Sequence, residues 1–377
     1  MGIPTMGLRR RSLIAGGSGL AAAVLVIIIV TFTYSGIGLP GPVSAQAPVA
    51  VMVTDPPTLP AGSSALQLNY SGVIITYSTS NTVANLSVAK SGSLNLEDLV
   101  NYSQVIGVQD LPVGATIKSV TLDIAAVSVT INGTTYPVTP LSTSLSINIP
   151  SGLVSSSDSG VLVDIHAFVE TVPVVSSTSG QVTDYYVFIP NAAAVFKPSI
   201  TKVTPGMKVP VTTNDLNEIN ATYPAPSLEI TNSSMSVSGN MTTLSITIKN
   251  TGASNTSLFG VMLSGEFNFS HTTQTHGNPE GGSEDHGAHE SNMMFRITGN
   301  GTLMMVGPEA EPSSGVNQFV IQAGSSVTLH FTGVLGINAP NGDGESGGVA
   351  ILPVSGNVYS LALFGPFHRV TGNLTAS

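Results

Sequence analysis

The 377-residue chain has no cysteine and no tryptophan, and only 8% of its residues are Asp, Glu, Lys or Arg. Each shortage removes a class of protein. Without cysteine there is no disulfide scaffold, no Cys-ligated zinc, no iron–sulfur cluster and no blue-copper centre. Eleven basic residues against 21 acidic ones cannot build the positive surface that phosphate backbones require, so no nucleic-acid partner is expected. Disorder pairs low hydrophobicity with high net charge, yet 42% of this chain is hydrophobic. What remains is a folded, β-rich protein whose surface is polar but uncharged, with 40 Gly and 24 Pro to punctuate it.

The few charges are unevenly placed. Arg9, Arg10 and Arg11 precede the stretch from Ser12 to Tyr34, which has no charged side chain. About 20 apolar residues span a bilayer, and flanking arginines stay on the cytoplasmic side. Residues 1–35 are therefore expected to be a cytoplasmic tip and transmembrane anchor, with residues 36–48 a Gly/Pro/Ala linker and the bulk of the chain outside the cell. Two features keep secretion by cleavage open. Val43-Ser44-Ala45 is a small-residue pattern of the kind signal peptidase accepts, and Arg10-Arg11-Ser12-Leu13-Ile14 resembles a twin-arginine export signal.

Asn-x-Ser/Thr sequons agree with export. They occur at Asn69, Asn85, Asn101, Asn132, Asn220, Asn232, Asn240, Asn255, Asn268, Asn300 and Asn373, roughly twice what a chain this rich in Ser, Thr and Asn would give by chance. Few charges, no Cys and many sequons together resemble the surface proteins of archaea, especially acid-dwelling ones, in which exposed carboxylates would titrate.

Beyond the linker the apolar residues recur every second position, the period of a half-buried strand. Leu66, Leu68 and Tyr70 do so; so do Val120, Leu122 and Ile124, then Val127, Val129 and Ile131, and Leu145, Ile147 and Ile149. The phase slips at Ala125-Ala126, which implies a bulge or a turn, and Asn132-Gly133 reads as a hairpin turn. Asn95 to Val100 is the only convincing helical piece outside the anchor. Near Tyr223-Pro224-Ala225-Pro226 the chain reads as a junction, and a second series follows at Leu228 and Ile230, Leu244 to Ile248, Phe319 to Ile321, Val327 to Phe331 and Val358 to Leu363. The expected fold is all-β: an N-terminal transmembrane helix, a β-sandwich over 49–222 and a second, immunoglobulin-like sandwich over 223–377 with a His-rich insertion at 270–292.

Two resemblances accompany this reading. Val49 to Pro57 (VAVMVTDPP) followed by Ala65 to Val73 (ALQLNYSGV) resembles the opening of the secreted prokaryotic domain-of-unknown-function family number 4382. Leu94 to Leu99, Leu111-Pro-Val-Gly114, Asn132-Gly133 and Pro150-Ser-Gly152 match in order, over roughly residues 49 to 200. Thr116-Ile117 stands where that family usually has an aromatic. The resemblance implies an exported β-sandwich and supplies no catalytic residue. Leu244 to Gly252, ending in Asn-Thr-Gly, is similar to the immunoglobulin-like modules of prokaryotic surfaces.

Four of the seven histidines, His271, His276, His286 and His289, fall in one segment with Glu280, Glu284, Asp285 and Glu290. Imidazole ligates zinc and copper, and Met293-Met294 and Met304-Met305 offer thioethers suited to Cu(I). Against this, the segment reads equally as an exposed insertion whose methionines fill a core. No cofactor is required by the sequence; Cu or Zn is the candidate. His166 is expected to be a packed residue of a strand over Val161 to Val169, and Asp55 a turn or strand-cap residue.

There is no Gly-x-Ser-x-Gly elbow in the expected order, no His-Glu-x-x-His, no phosphate loop and no dinucleotide fingerprint. The expectation is a non-catalytic, membrane-anchored surface protein with a structural or adhesive role, whose partners are the membrane, other surface proteins or copies of itself. An exported copper- or zinc-binding protein is the alternative. A carbohydrate-binding module is the third reading, resting on nine Tyr in the absence of Trp.

Overall fold

Strict alternation should give strands with one wet face, but several runs here are apolar throughout, and they decide how the layers stack. The computed structural model describes residues 45–55, 57–80, 82–150, 152–175, 182–222, 227–272, 286–306, 319–335, 348–365 and 368–377. The expected membrane helix lies outside these residues, as does most of the linker; among the described residues no helix is long and apolar enough to cross a membrane. The remainder, Gln46 to Ser377, is one compact unit, predominantly β and made of several sheets.

Its first part runs β1 (Gln46–Thr54), β2 (Ser63–Ser78), β3 (Val83–Ala89), β4 (Gly92–Asn95), a 3₁₀ turn (Leu96–Leu99), β5 (Tyr102–Pro112), β6 (Thr116–Ile131), β7 (Thr134–Pro140), β8 (Ser144–Asn148), β9 (Ser159–Ile165), β10 (Phe168–Val175), β11 (Val182–Ile189), β12 (Ala192–Lys197), β13 (Lys208–Pro210) and helix α1 (Thr213–Thr222). One sheet has the order β12-β9-β1-β5-β13; the other follows β10-β11-β7-β6-β2-β3, with β4 on β2 and β8 on β6. A single apolar cluster takes Val51, Val163 and Ala194 from the first sheet and Leu68, Leu122 and Phe188 from the second. The sheets thus face one another across a shared core. The slip at Ala125-Ala126 is a bulge inside one continuous strand, because Asn69 pairs with Ala126 and Tyr70 with Ile124. Asn132 and Gly133, at φ 50° and 82°, make the two-residue hairpin turn that joins β6 to β7.

The second part runs β14 (Leu228–Ser238), β15 (Met241–Asn250), β16 (Thr256–Leu258), β17 (Gly260–Thr272), β18 (His286–Ile297), β19 (Leu303–Met305), β20 (Phe319–Ile321), β21 (Ser326–Gly333), β22 (Gly348–Pro353), β23 (Val358–Gly365) and β24 (His368–Thr375). A sheet of order β14-β15-β21, the pair β16-β20, and a sheet β19-β18-β17-β23-β24 with β22 on β17 enclose a second core of Leu244, Ile246, Phe267, Phe295 and Tyr359, among others.

Two further clusters explain the unbroken apolar runs. In the first sheet, Val161 and Val163 of β9 enter the main core while Leu162 joins Ala50, Met52, Val195, Val203 and Ile219 on the opposite face. Helix α1 contributes Ile219 to that cover, so β1, β9 and β12 are buried on both faces. In the second part Val261 and Leu263 point to one core and Met262, between them, to another, where it meets Met294, Phe364, Val172, Val187 and Ile189. This last cluster draws on both parts of the chain and joins them. Asn292 Nδ2 donates to Thr171 O (3.1 Å), Arg369 lies 3.8 Å from Glu170, and the rings of Phe168 and Phe364 are 5.8 Å apart across the same boundary.

Four expectations change. The first strand begins at Gln46, before the expected boundary at 49. The helical piece at Asn95 to Val100 is a 3₁₀ turn of Leu96–Leu99, and a second helix, α1, occupies what reads as irregular chain. His166 is not within a strand: β9 ends at Ile165 and β10 starts at Phe168, because the chain there passes from one sheet to the other. The His-rich segment enters and leaves on strand, since β17 continues to Thr272 and β18 begins at His286, while 273–285 lie outside the described residues.

Candidate functional site

The hairpin of β17 and β18 carries most of the residues singled out for chemistry. His286 pairs with Phe269 and His289 with Phe267, across a bulge that puts three residue steps of β18 against two of β17. On the other side of β17, His271 pairs with Val349 of β22. Three of the four candidate ligands are therefore fixed to adjacent strands. His276 lies outside the described residues, as do Glu280, Glu284 and Asp285. Met293 and Met294 are both fully buried, the first in the second core and the second in the junction cluster, so the pair serves two apolar layers at once. Among the described residues no group of three or more His, Cys, Asp or Glu is arranged to hold a metal ion.

Down the stem of the same hairpin an open cleft of about 480 Å³ separates it from β10 and β11. Thr171, Asp184, Ser264, Glu290, Ser291 and Asn292 line it. Glu266 stands directly across from Glu290 in the ladder, an arrangement in which like charges repel. Glu266 is steadied by Asn357, whose Nδ2 donates to Oε2 (2.9 Å). The cleft offers carboxylate, hydroxyl and amide groups that can hydrogen-bond a polar ligand. Nearby, burial raises the pKa of Glu170 while the Arg369 charge opposes the rise.

The strongest electrostatic perturbation lies elsewhere, in the doubly covered sheet. Asp55 follows β1 and is fully buried. Its Oδ1 accepts from the Ala167 amide (3.3 Å), and among the described residues its Oδ2 has no partner. Burial raises its pKa well above the usual carboxylate range; the Ala167 amide opposes this, and the charges of Asp164 and Glu97 add to it. Asp164 extends from the same face of β9 as Leu162, since alternate residues share a face. Almost wholly buried and with Oδ1 unpartnered, it is lifted by burial to about 7. Among the described residues no cation is placed against either acid; the ion pairs there involve Lys197, Lys208 and Arg369 with other partners. Such carboxyls are held neutral. Asp55 does close off a strand end, as its position after Val-Met-Val-Thr implies. Asp164 escapes a sequence reading drawn to His166, although a lone acid in the run Gly-Val-Leu-Val-Asp-Ile is the stronger sign of an unusual environment. The His166 ring is half-buried and sits edge-on to Phe168 at 5.4 Å.

All eleven sequon asparagines fall on described residues. Asn69 and Asn268 are half-buried, the other nine are exposed, and none is enclosed. Among the described tyrosines only Tyr102 is exposed, at 46%, so an aromatic platform for sugar rings would rest on a single side chain. No protein-family model matches the chain. No curated protein matches it in sequence.

Proposed function

We propose that the chain is an extracytoplasmic surface protein, anchored in the membrane by its N-terminal apolar segment, with a structural or adhesive and non-catalytic role. Two β-sandwiches joined by an apolar junction would form its ectodomain. The observation that carries this reading is the placement of the sequons: eleven acceptor asparagines, each at an accessible or half-accessible position on a body whose charged groups are few. Burial would have closed such sites to modification, and glycans need an exported, exposed surface. The resemblance of residues 49 to 200 to a secreted family points the same way. Protease treatment of intact cells followed by fractionation tests the reading. The protein is expected in the membrane fraction, with its ectodomain cut from outside. Recovery of intact protein in the cytosol overturns it, and so does a measured catalytic turnover.

A second reading, an exported copper- or zinc-binding protein, draws support from the register that gathers His271, His286 and His289 on paired strands. Calorimetric titration of the purified protein with Cu(I), Cu(II) and Zn(II), beside a variant with all four segment histidines replaced by Ala, separates it from the first. Equal, weak binding by both forms removes it.

A further inference from the structure

The second part of the protein has an open seam. Among the described residues β14 is bonded within its sheet to β15 alone and β24 to β23 alone, so each has an edge that no described strand of its sheet covers. The two edges meet at their C-terminal ends. There Met235 and Ala376 form a parallel bridge, the Ser377 amide donates to Met235 O (2.9 Å), and the Val237 amide donates to Ser377 O (3.2 Å). Upstream the strands splay apart around a cleft of about 590 Å³ between residues 228–233 and 370–373. Leu228, Ile230 and Val370 line it and are partly buried against the second core, while polar groups make up most of its exposed surface. A Cβ at Gly372 would come within 2.7 Å of Ile230 Cδ1, so Ile230 lies across the glycine. Unpaired strand edges are templates for added strands, and proteins that stay dispersed cover or obstruct them.

Both walls of this seam carry a sequon, Asn232-Ser233-Ser234 on β14 and Asn373-Leu374-Thr375 on β24. Asn232 and Asn373 both line the cleft and are both exposed. Among the described residues neither side-chain amide is engaged in a hydrogen bond. Asn69, Asn85, Asn255 and Asn300 differ, since their Oδ1 atoms accept from Ser93, Thr76, the Ala323 amide and Thr298 respectively. Ser233 reaches over the seam, its Oγ donating to Asn373 O (3.3 Å).

We propose that Asn232 and Asn373 are a matched pair of N-glycosylation sites whose sugars cap the seam and keep its edges from pairing with another chain. The transfer uses a lipid-phosphate-linked sugar as donor. Asn Nδ2 attacks the sugar C1, a C1–N bond forms, the C1–O bond to the phosphate breaks, the lipid phosphate leaves with the electron pair, and the nitrogen loses one proton. The proposal rests on the extracytoplasmic placement above and goes beyond it in assigning two of eleven sequons a protective task.

Glycopeptide mass spectrometry of the protein taken from its native envelope is the test. Both peptides are expected to carry sugar on most copies. Bare Asn232 and Asn373 in protein that bears sugar at other sequons overturns this inference alone, whereas cytosolic protein bare at every sequon overturns the placement with it. In the same host, the variant S234A/T375A removes both sequons and leaves both asparagines. It is expected to lose two glycan masses and to move from monomer to larger species in size-exclusion chromatography, as is N232Q/N373Q. Variants that lose the sugars and remain monomeric overturn the capping role.

Discussion

Two layers of this protein are buried on both faces, and they bury different things. The layer of β1, β9 and β12 lies between the first core and the helix-covered cluster, and it holds Asp164, with Asp55 at its end, without a countercharge. The layer of β17, β18 and β23 lies between the second core and the junction, and it holds Met262, Met293 and Met294. On the facing sheet, buried Asn250 donates to Ser254 O (2.8 Å) and Ile321 O (3.1 Å) and accepts from the Gly252 amide (3.0 Å). The same device, a sheet with no wet face, is thus set by protonation in one place and by volume in the other. The stability of the first layer depends on pH and that of the second on shape.

The largest expected effect tests the first half of that contrast. Folded Asp164 keeps its proton up to about pH 7, whereas in an unfolded chain it is lost near 3.9. Between those values the folded state binds more protons, so stability falls as pH rises through the window. A shift of about three units corresponds to at most about 4 kcal/mol, and Asp55, raised in the same direction, adds to the slope. Urea midpoints measured from pH 4 to 7 are expected to decline steadily, and Asp164→Asn is expected to flatten the decline. A wild-type profile that is level or rises towards neutrality contradicts the account.

The second layer should respond without regard to pH. Truncating Met294 leaves a cavity where both parts of the chain meet, and Met294→Ala is expected to lower stability by about 3 kcal/mol at pH 4 and pH 7 alike. Unequal losses at the two pH values would couple the layers and break the comparison. Asn250→Ala removes three hydrogen bonds made by a buried side chain and exposes no charge; it is expected to lower stability by about 2 kcal/mol, again independent of pH. Equilibrium denaturation of each variant reads both values.

Much of this architecture is legible in the chain, and the exceptions have physical causes. The alternating strands and the Asn132-Gly133 turn follow from period and turn chemistry; the phase slip at Ala125-Ala126 is legible too, but period leaves it as bulge or turn, and the strand pairing makes it a bulge. Runs such as Val49 to Val53 and Leu361 to Phe364 also read as β, but period alone cannot say what covers their second faces, because that cover comes from residues more than 100 positions away. The histidine register hinges on a bulge between Phe267 and Phe269 that has no local signature. Helix α1 is missed because one buried residue, Ile219, makes too narrow a stripe to register as amphipathic. Its start signal is nonetheless present. Thr212 and Asp215 stand in capping-box spacing, with the Thr212 amide donating to Asp215 Oδ2 (2.8 Å) and the Asp215 amide to Thr212 Oγ1 (3.3 Å).

That cap supplies the smallest effect and the most pointed test of the contrast, because α1 is part of what keeps the Asp164 face of β9 dry. The helix is held at one end by the cap and along its length by Lys197, which pairs with Asp215 and Glu218. Lys197 is partly desolvated, which opposes its charge, yet the two carboxylates keep its pKa above the usual value. Desolvation likewise opposes the Asp215 charge, but Lys197 and Thr212 hold its pKa below the usual one. Thr212→Ala removes one side-chain cap and is expected to lower stability by about 1 kcal/mol, with faster hydrogen exchange confined to α1 and β12. If the helix is the lid over Asp164, looser cover admits water, the carboxyl ionises more readily, and the decline in stability between pH 4 and 7 becomes shallower in Thr212→Ala than in wild type. An unchanged slope beside faster exchange would mean that the strands alone keep Asp164 protonated. In that case the helix is only a surface cover, and the sensitivity to pH belongs entirely to the packing of β1 against β9.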